Sequence, residues 1–346
     1  MKQPEQLEAA AVRALMVECE WKQRLILTQN GNLKALLANA ITALESAPEW
    51  DGAIGYDDFT RAAVMLKPAP WGGDVQAAWT DHADIKTAEW LQHQGIHVPV
   101  NVAGQAVQAV AVTRRFHPVR EYLDSLNWDR IGRIDDWLTL YLGTEPGDYS
   151  RAVGARWLIQ AVARIYQPGC KADCCLILEG PQGIKKSMSL RTLAEPWFSD
   201  EIAELGTKDA SLQTFGVWVI ELAELDSLTR AEAGKIKAFM SRATDRFRPP
   251  YGKRVIDSPR QCAFAGTVNL DTYLRDETGG RRFWPVRCGE IHVEELARDR
   301  NQLWAEAVER YRGGAVWWLE TPELNHEAEQ EQASRYDGDL WQEPIS

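Results

Sequence analysis

The chain has 346 residues, of which 45% are hydrophobic and 26% charged. That is the balance of a soluble globular protein, and the length exceeds what one core usually holds, so two domains are expected. The net charge of -11 excludes a protein that coats nucleic acid over its whole surface, although one stretch is strongly basic. No apolar run approaches the roughly 20 residues of a membrane helix, and the opening MKQPEQLEAA is too polar for a secretory signal, so a cytoplasmic protein with no membrane partner is expected. The six cysteines show no pair of CxxC motifs at zinc-ligand spacing and read as reduced thiols. The fifteen tryptophans are scattered and read mostly as packing anchors.

In chain order, helical spacing is found over residues 6–19 and 33–44, the latter ending before a turn at Pro48 to Trp50. A polar, turn-rich stretch with Trp71, Gly72 and Gly73 follows, then helical patterns over 85–92 and 105–112. Residues 116–137 carry paired turn signals between short amphipathic helices and read as a connector. A helix over 149–166 stops at Pro168-Gly169, and beyond it strand, loop and helix alternate as in an α/β sheet with parallel strands. The division expected is a mainly α-helical N-terminal domain (1–149), an α/β domain (150–318) and an acidic tail (319–346) whose residues 320–331 form a solvated helix.

The chemistry lies in the α/β part. The apolar run Cys174 to Leu178 leads into Glu179-Gly180-Pro181-Gln182-Gly183-Ile184-Lys185-Lys186-Ser187 and then a helical stretch reaching Leu193. This is close to GxxxxGK[ST], in which glycines let backbone N–H groups face phosphate, Lys186 balances the β and γ charges and Ser187 binds magnesium. Residues 180–187 are therefore the candidate ATP loop. Lys185 stands where the motif has glycine, so its side chain either crowds the loop or forces a different φ. Downstream, Gly216-Val-Trp-Val-Ile-Glu221-Leu-Ala-Glu224 is a buried strand ending in carboxylates. Glu221 is assigned to the metal shell and Glu224 to water activation, with the two roles open to exchange. A third apolar run, Cys262 to Val268, ends in Asn269, whose amide can hydrogen-bond the lytic water.

Arg281 and Arg282 follow Gly279-Gly280, and arginines suit the charge of a transferring phosphoryl group, often supplied across a subunit boundary; pairing with Asp276 and Glu277 is the plainer alternative. Residues 241–254 hold five cations (Arg242, Arg246, Arg248, Lys253 and Arg254) with the aromatics Phe247 and Tyr251. Cations for phosphates and rings for base stacking make a single-stranded DNA element, with the 247–256 segment a hairpin about a Pro-Pro-Tyr-Gly turn; a solvated or subunit-facing charge cluster is the alternative.

The segments RFHPVREYLDSLNWD, LILEGPQGIKKS, VWVIELAELD, SRATDRFRPPYGKR and FAGTVNLDTYLRDETGGRRFWPV, in this order over residues 115–288, resemble the virulence-associated E family, which is similar to phage and plasmid primase-helicases and to superfamily 3 helicases. The resemblance implies an AAA+-like P-loop core that forms a hexamer-like ring, hydrolyses ATP with Mg2+ and moves 3′-to-5′ on single-stranded DNA. It implies Lys186 and Ser187 at phosphate and metal, Glu221 and Glu224 as the acidic pair, Asn269 as sensor, Arg281 or Arg282 as finger and Lys253 with its neighbours on DNA. Relatives often carry an upstream primase-polymerase domain; residues 1–150 show no paired-Asp strand motif with a following His, and a short or absent C-terminal extension is expected. A primase or origin-binding protein is the partner expected beside DNA, in replication of a phage, prophage or genomic island. Two rival readings are an ATP- and DNA-binding module with weak turnover, acting in initiation, interference or defence, and a small-molecule kinase. Lys185 discriminates the first, and Asn269 with the basic stretch argues against the second.

Overall fold

A computed structural model gives the architecture and describes residues 20–201, 208–223, 230–248, 254–270, 273 and 280–336. The chain divides into two compact units, Met1–Pro118 and Val119–Ser346.

In the first unit, α1 (Leu37–Ser46) and α2 (Asp81–His93) pack on α3 (Val100–Ala111). Alanines 40, 43, 103 and 106 are fully buried and let these helices approach closely. The Trp50 ring is buried among Trp71, Trp90 and Trp79, with centroids 5.3, 5.6 and 6.3 Å away. A sheet of β1 (Ile54–Asp57), β2 (Ala62–Met65) and β3 (Arg115–Phe116) runs in the order β2-β1-β3, with β1 antiparallel to β2 and parallel to β3. This small sheet is an addition to the helices that the sequence reading did not contain: strands of four residues or fewer, such as β1 with Gly55 and Asp57, are too short to show a period of two. Helix α1 begins later than residue 33 because Asn39 spends its side chain on the preceding segment, accepting from Ile26 N at 2.8 Å and donating to the Ile26 and Lys34 carbonyls at 2.9 Å. Helix α2 begins early because the Thr80 hydroxyl accepts from Ala83 N, an N-cap bond.

The second unit contains, in chain order, α4 (Pro118–Ser125), α5 (Trp137–Leu142), α6 (Asp148–Tyr166), β4 (Cys175–Glu179), α7 (Lys186–Ala194), β5 (Phe198–Ser199), α8 (Lys208–Leu212), β6 (Val219–Leu222), α9 (Arg230–Met240), β7 (Thr244–Phe247), β8 (Ile256–Pro259), β9 (Ala263–Val268), β10 (Phe283–Arg287), α10 (Val293–Arg312) and α11 (Pro322–Ala333). The division at 118/119 lies well before the expected boundary near 150. The connector's turns are fastened to α10: Arg133 N and Ile134 N donate to the buried Glu306 carboxylate at 2.6 and 3.1 Å, and Arg310 pairs with Asp135 at 2.6 Å.

Five parallel strands form the central sheet in the order β10-β4-β9-β6-β5. Numbered by their own appearance these strands read 5-1-4-3-2. Strands β4, β6 and β9 are buried at every position, as expected when both faces of a parallel sheet are covered. Indoles tie the layers together: Trp157 donates to Phe264 O, Trp218 to Ala161 O and Trp304 to Leu193 O, at 2.8, 2.9 and 2.8 Å. From β4 the chain crosses to β5 at one edge, and from β9 it crosses to β10 at the other. The crevice beyond the carboxyl ends of β4 and β9 is thus a topological switch point, where open α/β sheets bind ligands.

Helix α11 corrects the reading of a solvated tail. It packs on β10 and α6, Ala328 and Gln332 are buried, and the Gln332 amide donates to Phe283 O at 2.9 Å, while Glu323 and Glu329 are exposed. No helix among the described residues is long and apolar enough to cross a membrane.

Candidate active site

The loop leaves β4 at Glu179 and enters α7 at Lys186. Gly180 has φ 143°, and a Cβ there would lie 2.7 Å from Ile184 Cδ1; Gly183 has φ 86°. Pro181, Gln182 and Gly183 are exposed, as a loop that cradles a ligand requires. Lys185 takes φ 73° and ψ 26°, the left-handed conformation that the motif's glycine would take. Of the two consequences expected of this lysine, neither a different φ nor a filled cradle results. Its side chain is half exposed and its ammonium lies 3.6 Å from Glu294 in the first turn of α10. Holding a side chain in this region costs about 1 kcal/mol. Lys185→Gly is therefore expected to raise the melting temperature by up to about 2 °C, whereas Lys185→Ala, which keeps the strain, should not. Calorimetry on the two variants checks this.

Around the crevice the three sequence motifs come together. Lys186 is buried, and its ammonium donates to Gly180 O at 2.6 Å, Pro181 O at 2.9 Å and Asn269 Oδ1 at 3.0 Å. Ser187 donates its hydroxyl to Glu221 Oε1 at 2.6 Å. Thr267, in β9 beside β6, donates to the same oxygen at 2.6 Å. Glu221 is 1% exposed, and its Oε2 is buried with no hydrogen-bond partner among the described residues. A buried carboxylate oxygen left unmatched is costly, and hydroxyl and carboxylate oxygens are the hard donors that suit magnesium. Ser187 and Glu221 are therefore the described residues able to face such an ion and its waters. Among the described residues no group of three or more His, Cys, Asp or Glu is arranged to hold a metal. Glu224 lies outside the described residues.

Three members of this region escaped the sequence reading. Thr267 had a faint signal, a hydroxyl in an apolar run two residues before Asn269. Glu179 had another, a charge closing an apolar strand, and it is buried here against Tyr273 and Arg335. Arg335 had none.

Arg281 and Arg282 do not join this group. They sit in a 3-10 turn just before β10, and Phe283 is in register with Cys175, so they lie at the amino edge of the sheet while the loop leaves its carboxyl edge. A five-residue strand puts about 15 Å between these edges. Arg282 pairs with Asp173 at 3.1 Å and Arg281 is exposed; both line a cavity of about 440 Å³ walled by Trp284, Trp317 and Trp318. Cys174 also borders it, and burial pushes its thiol up to about 12, so it stays protonated. The described cysteines are all free, as the reading of reduced thiols requires.

The basic stretch is a hairpin, with β7 antiparallel to β8 and Phe247 opposite Ile256. Alternation along β7 buries Asp245 and Phe247 and exposes Arg246, with Arg248 exposed next to it. Arg246 lies 3.6 Å from Asp257, and Arg242, at 3.7 Å from Asp245, is partly exposed. Arg254 is exposed; Tyr251 and Lys253 lie outside the described residues. At the root, the buried Arg260 guanidinium grips both oxygens of Asp245 and stacks 4.0 Å over the Phe239 ring.

The chain is similar in fold to the apo structure of the NrS-1 C terminal region (305-718), with a TM-score of 0.51 and 13% identity, over 81% of this chain and 71% of that one. An A form of the same region gives a TM-score of 0.42 at 14% identity, over 82% of this chain and 64% of that one. No curated protein matches the sequence. The family model described as "Virulence-associated protein E-like domain" matches residues 123–337, which take in the sheet, the glycine loop and the docked C-terminal helix, and the chain belongs to that family.

Proposed function

We propose that this chain is an ATP-hydrolysing motor of the P-loop, AAA+-like class that acts on single-stranded DNA in the replication of a phage, prophage or genomic island. The observation that carries this reading is the convergence of Lys186, Ser187, Glu221 and Asn269 at the switch point of a sheet ordered 5-1-4-3-2. The loop's backbone N–H groups and the start of α7 receive the phosphates. Lys186, now held by two carbonyls and Asn269, exchanges these acceptors for β and γ oxygens. Ser187 and Glu221 would hold magnesium, which would supply charge neutralisation to the transferring phosphoryl group. Asn269, freed from Lys186, orients the attacking water. The arginine pair serves a neighbouring subunit's nucleotide, which makes an oligomer such as a six-membered ring the active form, and the hairpin's outward arginines meet the DNA backbone.

The weak-turnover alternative drew its force from Lys185. That residue keeps the backbone conformation of the glycine it replaces, which favours the motor. The kinase reading gives no use to an exposed basic hairpin.

Steady-state ATP hydrolysis is expected to rise severalfold on adding single-stranded DNA, and the stimulation should fall steeply between 50 and about 200 mM salt as backbone contacts are screened. Nucleotide binding without turnover, with DNA present, would move the assignment to the binding module.

A further inference from the structure

The C-terminal segment reaches the root of the glycine loop. Glu179, the last residue of β4, is 4% exposed, and Arg335 grips both of its carboxylate oxygens, Nε at 3.0 and 3.2 Å and Nη2 at 2.9 Å from Oε2. Tyr273 adds its phenol to Oε1 at 2.8 Å and its main-chain N–H to Arg335 O at 3.0 Å. Burial and the adjoining carboxylate hold the Tyr273 phenol well above its usual range, so it remains a neutral donor. Arg335 is itself braced by Glu331, one turn back.

Three chain segments thus meet on one carboxylate. Glu179 precedes Gly180, whose carbonyl holds Lys186, and Tyr273 lies four residues beyond Asn269, whose amide oxygen holds the same lysine. In the sheet Glu179 is paired with Val268, so the brace spans the two strands that form the crevice. A desolvated ion pair adds little stability over an apolar pair of the same shape; what it specifies is geometry, through a two-pronged fork and a fixed phenol.

We propose that Arg335 is a positioning residue for the nucleotide site: by clamping Glu179 and Tyr273 it fixes the loop root relative to the strand end bearing Asn269, so that docking of α11 and binding of nucleotide are coupled. The inference rests on the nucleotide reading of the loop. Coupling is reciprocal, so bound nucleotide must also tighten the docking of α11.

The test uses the full chain and two variants. Arg335→Lys keeps the charge and loses the fork. Glu179→Gln/Arg335→Gln removes both charges together, avoiding a lone buried carboxylate. Melting curves, Mg·ATP affinity with a fluorescent ATP analogue, KM and kcat are measured, with hydrogen exchange over residues 322–336 with and without Mg·ATP. The double variant is expected to melt within a few degrees of wild type and yet bind Mg·ATP about tenfold more weakly, with Arg335→Lys between the two. Exchange over 322–336 should slow severalfold with Mg·ATP in wild type and not in the double variant. Wild-type affinity, KM and exchange response in the double variant would overturn the proposal while leaving the nucleotide reading standing. A wild-type chain that binds no Mg·ATP would overturn both.

Discussion

Mixing an Arg281→Ala/Arg282→Ala protein with a Lys186→Ala protein is expected to restore ATP hydrolysis that neither protein has alone. The arginine pair sits at the amino edge of the sheet and Lys186 at the carboxyl edge, with β4 and β10 lying side by side between them. No rotamer of either arginine bridges about 15 Å of strand within one subunit, so an arginine that assists phosphoryl transfer here belongs to a neighbour. Removing such a group lowers kcat by about 10³-fold or more. In a mixed assembly the arginine-less subunits bring intact loops and the lysine-less subunits bring intact arginines. About a quarter of the contacts in an equal, randomly assembled mixture would pair the two, and turnover should return in that proportion. Arg281→Ala alone should cost more than Arg282→Ala, because Arg282 is already held by Asp173 whereas Arg281 is exposed. Subunits shown by mass to co-assemble, but giving no recovered turnover, would remove the pair from the reaction.

Lys186→Ala is expected to abolish turnover while leaving the fold in place. The lysine is the one cation bonded at once to the loop carbonyls and to Asn269 among the described residues. On the proposed reading it faces the charge that develops on the transferring phosphoryl group, and a preorganised donor in such a position is worth about 10²–10³-fold in rate or more. The bonds to Gly180, Pro181 and Asn269 are to acceptors at the edge of the crevice, where Pro181 and Asn269 are exposed and water can replace the ammonium. The melting temperature should move by only a few degrees, with near-ultraviolet circular dichroism unchanged. Collapse of the fold instead would make Lys186 a structural strut, and the rate loss would then carry no information on chemistry.

The parts of the sheet that carry chemistry were legible because buried parallel strands are written as unbroken apolar runs. Residues 174–178, 217–222 and 262–268 each announced a strand, and Glu221 within the second run and Asn269 just beyond the third line the crevice. The two outer strands were not legible. Strand β5 has two residues, and β10 carries Pro285, which survives because β10 is an edge strand paired on one side only. The small sheet of the first unit was lost for the same reason of length. Helix α11 was read correctly as a helix and wrongly as solvated, since one buried alanine and one buried glutamine leave almost no apolar periodicity. The pairing of Glu179 with Arg335 spans 156 residues and has no local signature at all. Sequence reading found side chains that meet at the crevice and missed those that brace its root.

The basic hairpin is not a separate attachment. Strand β8 passes through Arg260, Gln261 and Cys262 directly into β9, which ends at Val268, next to Asn269. Arg260 is pinned at that junction by its grip on Asp245 and by main-chain bonds to Ala243 O and from Gly169 N. Strand β9 is laced on both sides, to β4 and to β6, and cannot bend within the sheet. The crevice lies at one end of this strand and the hairpin's root at the other, so on the proposed reading a displacement at Asn269 is expected to reach the arginines as travel of the whole prong and not as a swivel.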